Sequence, residues 1–253
     1  MKLLVLGTNN STTWMMVNAL MSDYPDLHVV IEKPISRFVF LKRRVARLGV
    51  MNVFGQLLFI LYSTFMQRLS QKYVKKLLEF SGLSSVPRQD IPITYFDSVN
   101  SQECINWLSQ KCPSVIVLNG TRIISSALLA STSAKILNTH CGITPAYRGV
   151  HGGYWALVNG DTDNLGVTVH LVDAGIDTGG IVFQDKIEIE ETDNFSTYPV
   201  KQYIVGIPIM KQAIDNALCG CLSTYERTDL KSAIWHHPTL WQYLWVRFSR
   251  GVR

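Results

Sequence analysis

The sequence predicts an α/β protein, a mostly parallel, twisted sheet with helices on both faces. Residues 3–6, a polar turn, a helical stretch and residues 28–31 follow one another at the start of the chain, which is the opening of a right-handed βαβ unit. Ser114-Val115-Ile116-Val117-Leu118 is a nearly continuous apolar strand of the kind buried on both faces. Hydrophobic residues make up 47% of the 253 and charged residues 17%, enough for the core of one enlarged domain and too apolar for a disordered or fibrous chain.

The first strand, residues 3–6, runs into Gly7-Thr8-Asn9-Asn10-Ser11-Thr12-Thr13, and a helix over 14–21 follows with Ser or Thr as its N-cap. The turn has no GxGxxG and gives no support to a dinucleotide-dependent dehydrogenase. Backbone N–H groups at that helix start can still hold a phosphate, which makes Thr8, Asn9 and Asn10 candidates for substrate binding.

Residues 35–80 differ in composition. Lys42, Arg43, Arg44 and Arg47 precede twenty residues, 48–67, without a formal charge, and Arg68, Lys72, Lys75 and Lys76 follow. Twenty residues could span a bilayer, but Asn52, Gly55, Gln56, Ser63 and Thr64 dilute the run and the basic residues on both sides give no orientation. A helical hairpin covering the sheet or forming a subunit contact is the preferred reading, with attachment to a membrane surface standing between the two. Residues 72–80 read as a further amphipathic helix ending near Gly82.

The alternation then resumes, with a strand over 91–95, a helix over 101–111, the central strand 114–118, a helix over 125–129 and a strand beginning at 135–138. Residues 166–172 alternate like a strand with one covered face, 181–184 and 186–189 read as two more strands, and a long helix near 197–218 is expected to break at Pro208. The catalytic domain is therefore placed at 1–220 with a helical insertion at 35–80, leaving 221–253 as an extension. That extension interleaves Trp235, Trp241, Tyr243, Trp245 and Phe248 with Arg247, Arg250 and Arg253. Packing against the domain or a subunit contact is favoured there over a lipid headgroup layer.

The balance of 24 Lys and Arg against 19 Asp and Glu gives +5, which suits an anionic substrate or a membrane surface without demanding nucleic acid. Cys104, Cys112, Cys141, Cys219 and Cys221 show no zinc spacing, and Met1 leads into a strand rather than a secretory signal, so a reducing cytoplasm is expected. Cys219-Gly220-Cys221 reads as a helix end. His236-His237 has no further ligand at metal spacing, so no metal is expected.

Asn138-Thr139-His140 leaves the strand with two polar side chains on one side, because side chains alternate with a period of two. An amide and an imidazole at the carboxyl end of a parallel strand make a site for a carbonyl oxygen. Asp177, in a Gly-flanked loop, is expected to reach the imidazole. This trio suits acyl transfer to an amine. The Asn138 N–H and a protonated His140 would stabilise the oxyanion, while Asp177 would keep the imidazole charged and relay the ammonium proton. Cys141 points away by alternation, and His28 and His170 are expected to be packed residues without a role.

Asn138-x-His140, the Pro145-x-x-Arg148-Gly149 run and Gly175-Ile176-Asp177-Thr178-Gly179 together resemble the signature of the folate-dependent formyltransferases, strongly over about residues 114–190. The resemblance implies the Rossmann-like formyltransferase fold, an Asn138, His140 and Asp177 catalytic triad and N10-formyltetrahydrofolate as formyl donor, without a metal. It also implies a pterin pocket lined by Leu118, Asn119, Gly120, Arg122, Ile123 and Ile124 and bordered by Asp173 and Gly175. The Gly-rich phosphate turn of glycinamide ribonucleotide transformylase is absent, and residues after Leu218 do not alternate like the strands of a tRNA-binding barrel. A small acceptor is therefore expected, an anionic nucleotide-linked amino sugar bound for surface polysaccharide, and not tRNA or another nucleic acid. Tyr147, Arg148, His151, Tyr154 and Trp155 would open its side of the site. A hydrolase acting on the same folate, a formyltransferase for another small amine and a non-catalytic membrane-associated scaffold are the alternatives. A homodimer and peripheral contact with the inner face of the cytoplasmic membrane are further expectations.

Overall fold

A computed structural model describes residues 1–35 and 37–253; Ser36, inside the expected insertion, lies outside the described residues. Seven strands form one sheet in the order β3-β2-β1-β4-β5-β7-β8. Strands β1 (Leu3–Thr8), β2 (His28–Glu32), β3 (Ile93–Phe96), β4 (Val115–Asn119) and β5 (Lys135–His140) run parallel, and β7 (Gly166–Leu171) and β8 (Ile181–Lys186) add antiparallel to one edge. The strand order reverses between β1 and β4, the switch point where open α/β sheets place ligands.

Helices cover both faces. On one, α1 (Ser11–Met21) and α7 (Tyr198–Leu218) bury Trp14, Met16 and Leu20, and Tyr203, Ile207 and Met210, against Val5, Val29, Val117 and Val169. On the other, α4 (Gln102–Lys111) and α5 (Ser126–Ala130) pack Ile105, Leu108 and Leu128 on Leu4, Leu6, Ile116 and Ile136. Alternate residues of each central strand thus serve opposite cores, which explains why these strands read as continuous apolar runs.

Several local expectations change. The N-cap of α1 is Asn10, whose side chain accepts from the Thr13 N–H, so the helix begins one turn earlier than the apolar periodicity indicates. Within the insertion, α2 (Arg37–Leu48) and α3 (Val50–Phe80) meet at Gly49, whose φ of 80° suits glycine, and α3 runs unbroken through the segment expected as a separate helix. Helix α7 continues through Pro208. That proline is on the exposed side, where the carbonyl it leaves unpaired can be hydrated, while Ile207 and Met210 stay anchored in the core. A single strand, β8, replaces the two expected over 181–189. The chain leaves the sheet after Lys186, and Ile187 is buried with Tyr147, Ala156 and Leu165.

Residues 221–253 bridge back onto the domain. Tyr225 pairs with Ile181, β9 (Ile234–Trp235) pairs with β6 (Arg148–Gly149), and α8 (Leu240–Arg250) lies on α3. Helix α6 (Gly152–Val158) follows β6. Cys219 and Cys221, expected as a plain helix end, are joined by a disulfide.

Candidate active site

Strand β5 extends to His140, so Asn138 and His140 leave the sheet on the same side, while Thr139 points the other way toward Gly206 of α7. Antiparallel pairing sets His170 of β7 directly opposite Asn138. The loop from Asp173 to Gly180 then folds back over both. It is fastened by Asp173, whose Oδ1 accepts from the Gly175 N–H at 3.0 Å and the Thr178 hydroxyl at 2.7 Å. A Cβ on Gly179 would stand 1.8 Å from the Leu171 carbonyl oxygen, so only glycine lets the loop close so near the strand. Asp177 is held in the left-handed region, with φ of 51°.

The polar groups converge. Asp177 Oδ2 accepts from the Gly149 N–H at 2.9 Å and lies 3.4 Å from His140 Nδ1, while its Oδ1 is 3.6 Å from His170 Nε2. His140 Nε2 is 2.6 Å from the Tyr147 carbonyl, which can only accept, so the ring carries a proton on Nε2 and turns the other nitrogen toward the carboxylate. By the same logic His170 donates from Nδ1 to the Leu171 carbonyl at 2.7 Å, and its Nε2 accepts from the Asn138 amide at 3.1 Å. That bond fixes which way the Asn138 amide faces and leaves its second N–H for a ligand. His170, expected to have no role, is thus the residue that orients the amide. Only the β5–β7 register reveals it, since nothing in the local sequence marks it.

Burial sets the charge states. It pulls His140 below the ordinary imidazole value, a shift that Asp177 and the Tyr147 carbonyl oppose without overcoming. The imidazole is therefore neutral at rest, in place of the charged form expected from the sequence. Burial alone would raise the Asp177 carboxyl, but His140, which carries charge once acid has protonated it, together with His170 and the Gly149 N–H outweighs it and holds the carboxyl at about 2. The Cys141 thiol is pushed up to about 12 by burial and then by Asp177, which removes it as a nucleophile at neutral pH.

Two cavities meet at this cluster. A cleft of about 350 Å³ runs along the carboxyl ends of β4 and β5, and of the residues expected around a pterin it is lined by Leu118, Gly120, Arg122, Ile123, Ile124, Asp173 and Gly175. Val172 and Tyr203 add apolar wall, and Asn138, His140, His170 and Asp177 form its polar end. The Arg122 guanidinium is committed, with Nε 2.6 Å from Glu32 and Nη2 bonded to the Lys33 and Asp97 carbonyls. Asn119 is corrected. It is 1% exposed, and its side-chain oxygen is held by Thr12, Thr13 and Tyr203 beneath the cleft.

The second cavity, about 250 Å³, lies on the far side of Asp177 between Arg148, residues 178–181 and residues 225–232. Of the eight residues expected at the acceptor, Arg148 alone lines it. Its Nε is buried without a hydrogen-bond partner, and its Nη1 reaches only the Ile176 carbonyl, at 3.4 Å. Tyr147 instead stacks on Trp235 and bonds Asp161, Trp155 donates to the His236 carbonyl, and Tyr154 is buried beside Phe195 and Tyr243. His151 bonds His237 at 2.8 Å. Thr8, Asn9 and Asn10 are consumed by the β1–α1 turn, where Asn10 caps the helix and bonds Thr8, and Asn9 accepts from Trp14. Tyr225, Arg227, Thr228 and Ser232 line the cavity without any sequence signal to mark them, because the chain brings them there from a segment far from the motif.

Fold and site together define a doubly wound α/β protein that gathers an amide, two imidazoles and a carboxylate at the carboxyl ends of its strands. The formyl transferase family profile matches residues 65–206, and the chain belongs to that family. It is 33% identical over 113 residues to methionyl-tRNA formyltransferase of Thermodesulfovibrio yellowstonii, a match covering 45% of this chain and 36% of that protein. The fold is similar to glycinamide ribonucleotide transformylase 1 of Symbiobacterium toebii, with a TM-score of 0.58 at 18% identity over 90% of this chain and 92% of the other. It is also similar to the N-formyltransferase of Helicobacter canadensis in complex with folinic acid and dTDP-3-aminofucose, with a TM-score of 0.57 at 15% identity over 93% and 70%.

Proposed function

We propose that this chain moves the formyl group of N10-formyltetrahydrofolate to a primary amine, and that the amine belongs to a nucleotide-linked amino sugar. The observation that carries the reading is the position of Asp177, which lines both the β4–β5 cleft and the neighbouring cavity. A donor on one side and an amine on the other would meet at its carboxylate. The cleft fits a reduced folate, since Leu118, Ile124 and Val172 offer apolar wall to a flat ring and the polar end receives a formyl group.

In this mechanism the Asn138 N–H not used by His170 donates to the oxygen that becomes negative as the amine adds to the formyl carbon. The same addition makes the amine nitrogen positive. Asp177, ionised at any working pH, attracts that charge, and the neutral Nδ1 of His140, 3.4 Å from the carboxylate, accepts the proton. His140 acts as a base in this scheme because its Nε2–H is already engaged in a hydrogen bond to the Tyr147 carbonyl; as the adduct collapses, the bond between the formyl carbon and N10 breaks and the proton on Nδ1 passes to N10, releasing tetrahydrofolate. No covalent nucleophile is needed.

A small anionic acceptor is supported by the size of the second cavity and by the Arg148 guanidinium in its wall, whose Nε has no hydrogen-bond partner, whereas Arg227 in the same wall is paired with Asp229. The dTDP-3-aminofucose complex of the Helicobacter canadensis protein shows one such acceptor on the same fold. The test is release of tetrahydrofolate from N10-formyltetrahydrofolate in the presence of nucleotide-linked 3-amino and 4-amino sugars, charged methionyl-tRNA, or no acceptor. Turnover with one amino sugar alone is expected. Turnover only with the tRNA would overturn the acceptor, and equal turnover without acceptor would make the protein a hydrolase.

A further inference from the structure

Residues 33–78 and 230–253 hold fourteen of the 24 Lys and Arg and none of the Asp and Glu, which leaves the remainder of the chain with a formal charge of −9. The two acid-free segments build one face of the molecule, because α8 lies on α3 and the Trp241 ring sits where a Cβ on Gly55 would fall. Most of the exposed large hydrophobic side chains among the described residues also lie on these segments. Phe54, Leu57, Leu61 and Phe65 recur at three- and four-residue spacing along the outer side of α3, with Leu61 70% and Phe65 58% exposed. Trp245 and Phe248 stand out from the neighbouring α8 at 74% and 82% exposure. A groove lined by Leu58, Tyr62 and Leu240 joins the two helices and ends at Arg68.

We propose that this face binds an anionic lipid bilayer, with α3 and α8 lying in the headgroup layer. Charge and shape select this occupant. An apolar stripe about 28 Å long, from Val50 to Leu69 at 1.5 Å per residue, is followed on the same side of α3 by Arg68, Lys72 and Lys76. Exposed Trp and Phe beside cations is the composition of an interfacial helix, and two acid-free segments joined in one face of an otherwise acidic chain, with Glu190 and Glu191 only at the margin beside Arg250 and Arg253, orient the molecule on negative headgroups. Helix α3 is long and apolar enough to cross a membrane, but its inner side is fastened to the domain. Gln56 accepts from Arg44 and donates to the His237 carbonyl, Phe59 is buried against Phe195 and Tyr243, and Ser70 bonds Asn194. Only its outer side is offered to lipid, so the helix lies on the bilayer.

The test is sedimentation of the full chain with phosphatidylcholine vesicles, with and without half phosphatidylglycerol, alongside the tryptophan emission of wild type and Trp245→Phe. Binding only to the anionic vesicles is expected, with a blue-shifted emission that Trp245→Phe largely removes. Trp245→Glu with Phe248→Glu, both exposed positions, should abolish binding while thermal unfolding is unchanged. Arg68→Ala, Lys72→Ala and Lys76→Ala should each weaken it about fivefold. The proposal is overturned by no binding to either vesicle, by binding that the Trp245→Glu/Phe248→Glu variant retains, or by a stable dimer that shields Trp245 from a soluble quencher and ignores vesicles.

Discussion

His140 donates its Nε2–H in a hydrogen bond to the Tyr147 carbonyl and turns Nδ1 toward Asp177, and that single orientation decides its chemistry. A neutral imidazole beside an ionised carboxylate is ready to take a proton. His140→Ala is expected to lower formyl transfer by about 10²–10⁴, the span of a general acid–base group, with the fold intact by circular dichroism. The pH dependence follows from the direction of the shift. Because burial holds the folded His140 below its ordinary value, activity should stay flat above neutrality and fall as acid protonates Nδ1, with an apparent pKa under 6.5. Asp177 raises His140, so Asp177→Asn should move that imidazole still lower in a proton NMR titration, besides cutting the rate. If the imidazole titrates higher in the variant, the pairing is wrong. The folded Asp177 carboxyl lies near 2, so its contribution to stability is present above the ordinary carboxylate value of 3.8 and is lost as the pH falls from there through about 2. His170→Ala should cost less than His140→Ala, about tenfold to a hundredfold, since it removes a group that orients Asn138 and flanks Asp177 but not the one that takes the proton.

At the scale of elements, the β9–α8 segment is fastened to the active-site side by neutral histidines. His151, at the start of α6, meets His237 ring to ring at 2.8 Å, and the contact needs one nitrogen to donate and the other to accept. Burial first, then neighbouring cations, holds His237 at about 4, and burial keeps His151 well below its usual value. Both values are depressed, so the stability this pair confers is present above the unfolded imidazole value and is lost as the pH drops from about 6.5 toward 4. Hydrogen exchange should show residues 234–250 opening over that interval while the central strands stay protected, and a uniform response of the whole chain would contradict this. The loop that carries Asp177 depends on a different constraint. Gly179→Ala forces a methyl group into the Leu171 carbonyl and should lower activity with little change in far-UV dichroism, because the strands beneath do not rely on the loop.

For the whole molecule, a ligand that binds the folded cleft and not the unfolded chain must stabilise it. Folinic acid at about a hundred times its Kd should add about 2.7 kcal/mol, which for a chain of this size corresponds to a rise in Tm of roughly 5–10 °C. The Asn138→Ala variant should lose part of that shift if the amide meets the formyl group. The separation of charge between the α2–α3–α8 face and the rest of the chain belongs to this scale too. It was present in the sequence as two acid-free segments, but their distance along the chain hid the fact that they form one surface.

The parallel sheet was legible because buried strands must be apolar on both sides and helices between them must be amphipathic, so β1, β2, β4 and β5 announce themselves. Asn138, His140 and Asp177 were legible for a related reason, since alternation puts the first two on one side and a Gly-rich loop frees the third to return. What no local rule could supply was contact between residues distant in the chain. The register of β7 on β5 turned His170 from a packed residue into the partner of Asn138, and the return of residues 225–232 made the second cavity. Tertiary packing also withdrew residues that looked available, for Tyr154 is buried beside Tyr243 of α8, Trp155 is half-buried and stacked on Trp235 of β9, and Asn119 is buried against Tyr203 of α7. The charge on His140 was decided the same way. Sequence places a carboxylate near an imidazole, but only the folded structure sets how much water is excluded, and here that desolvation outweighs the carboxylate.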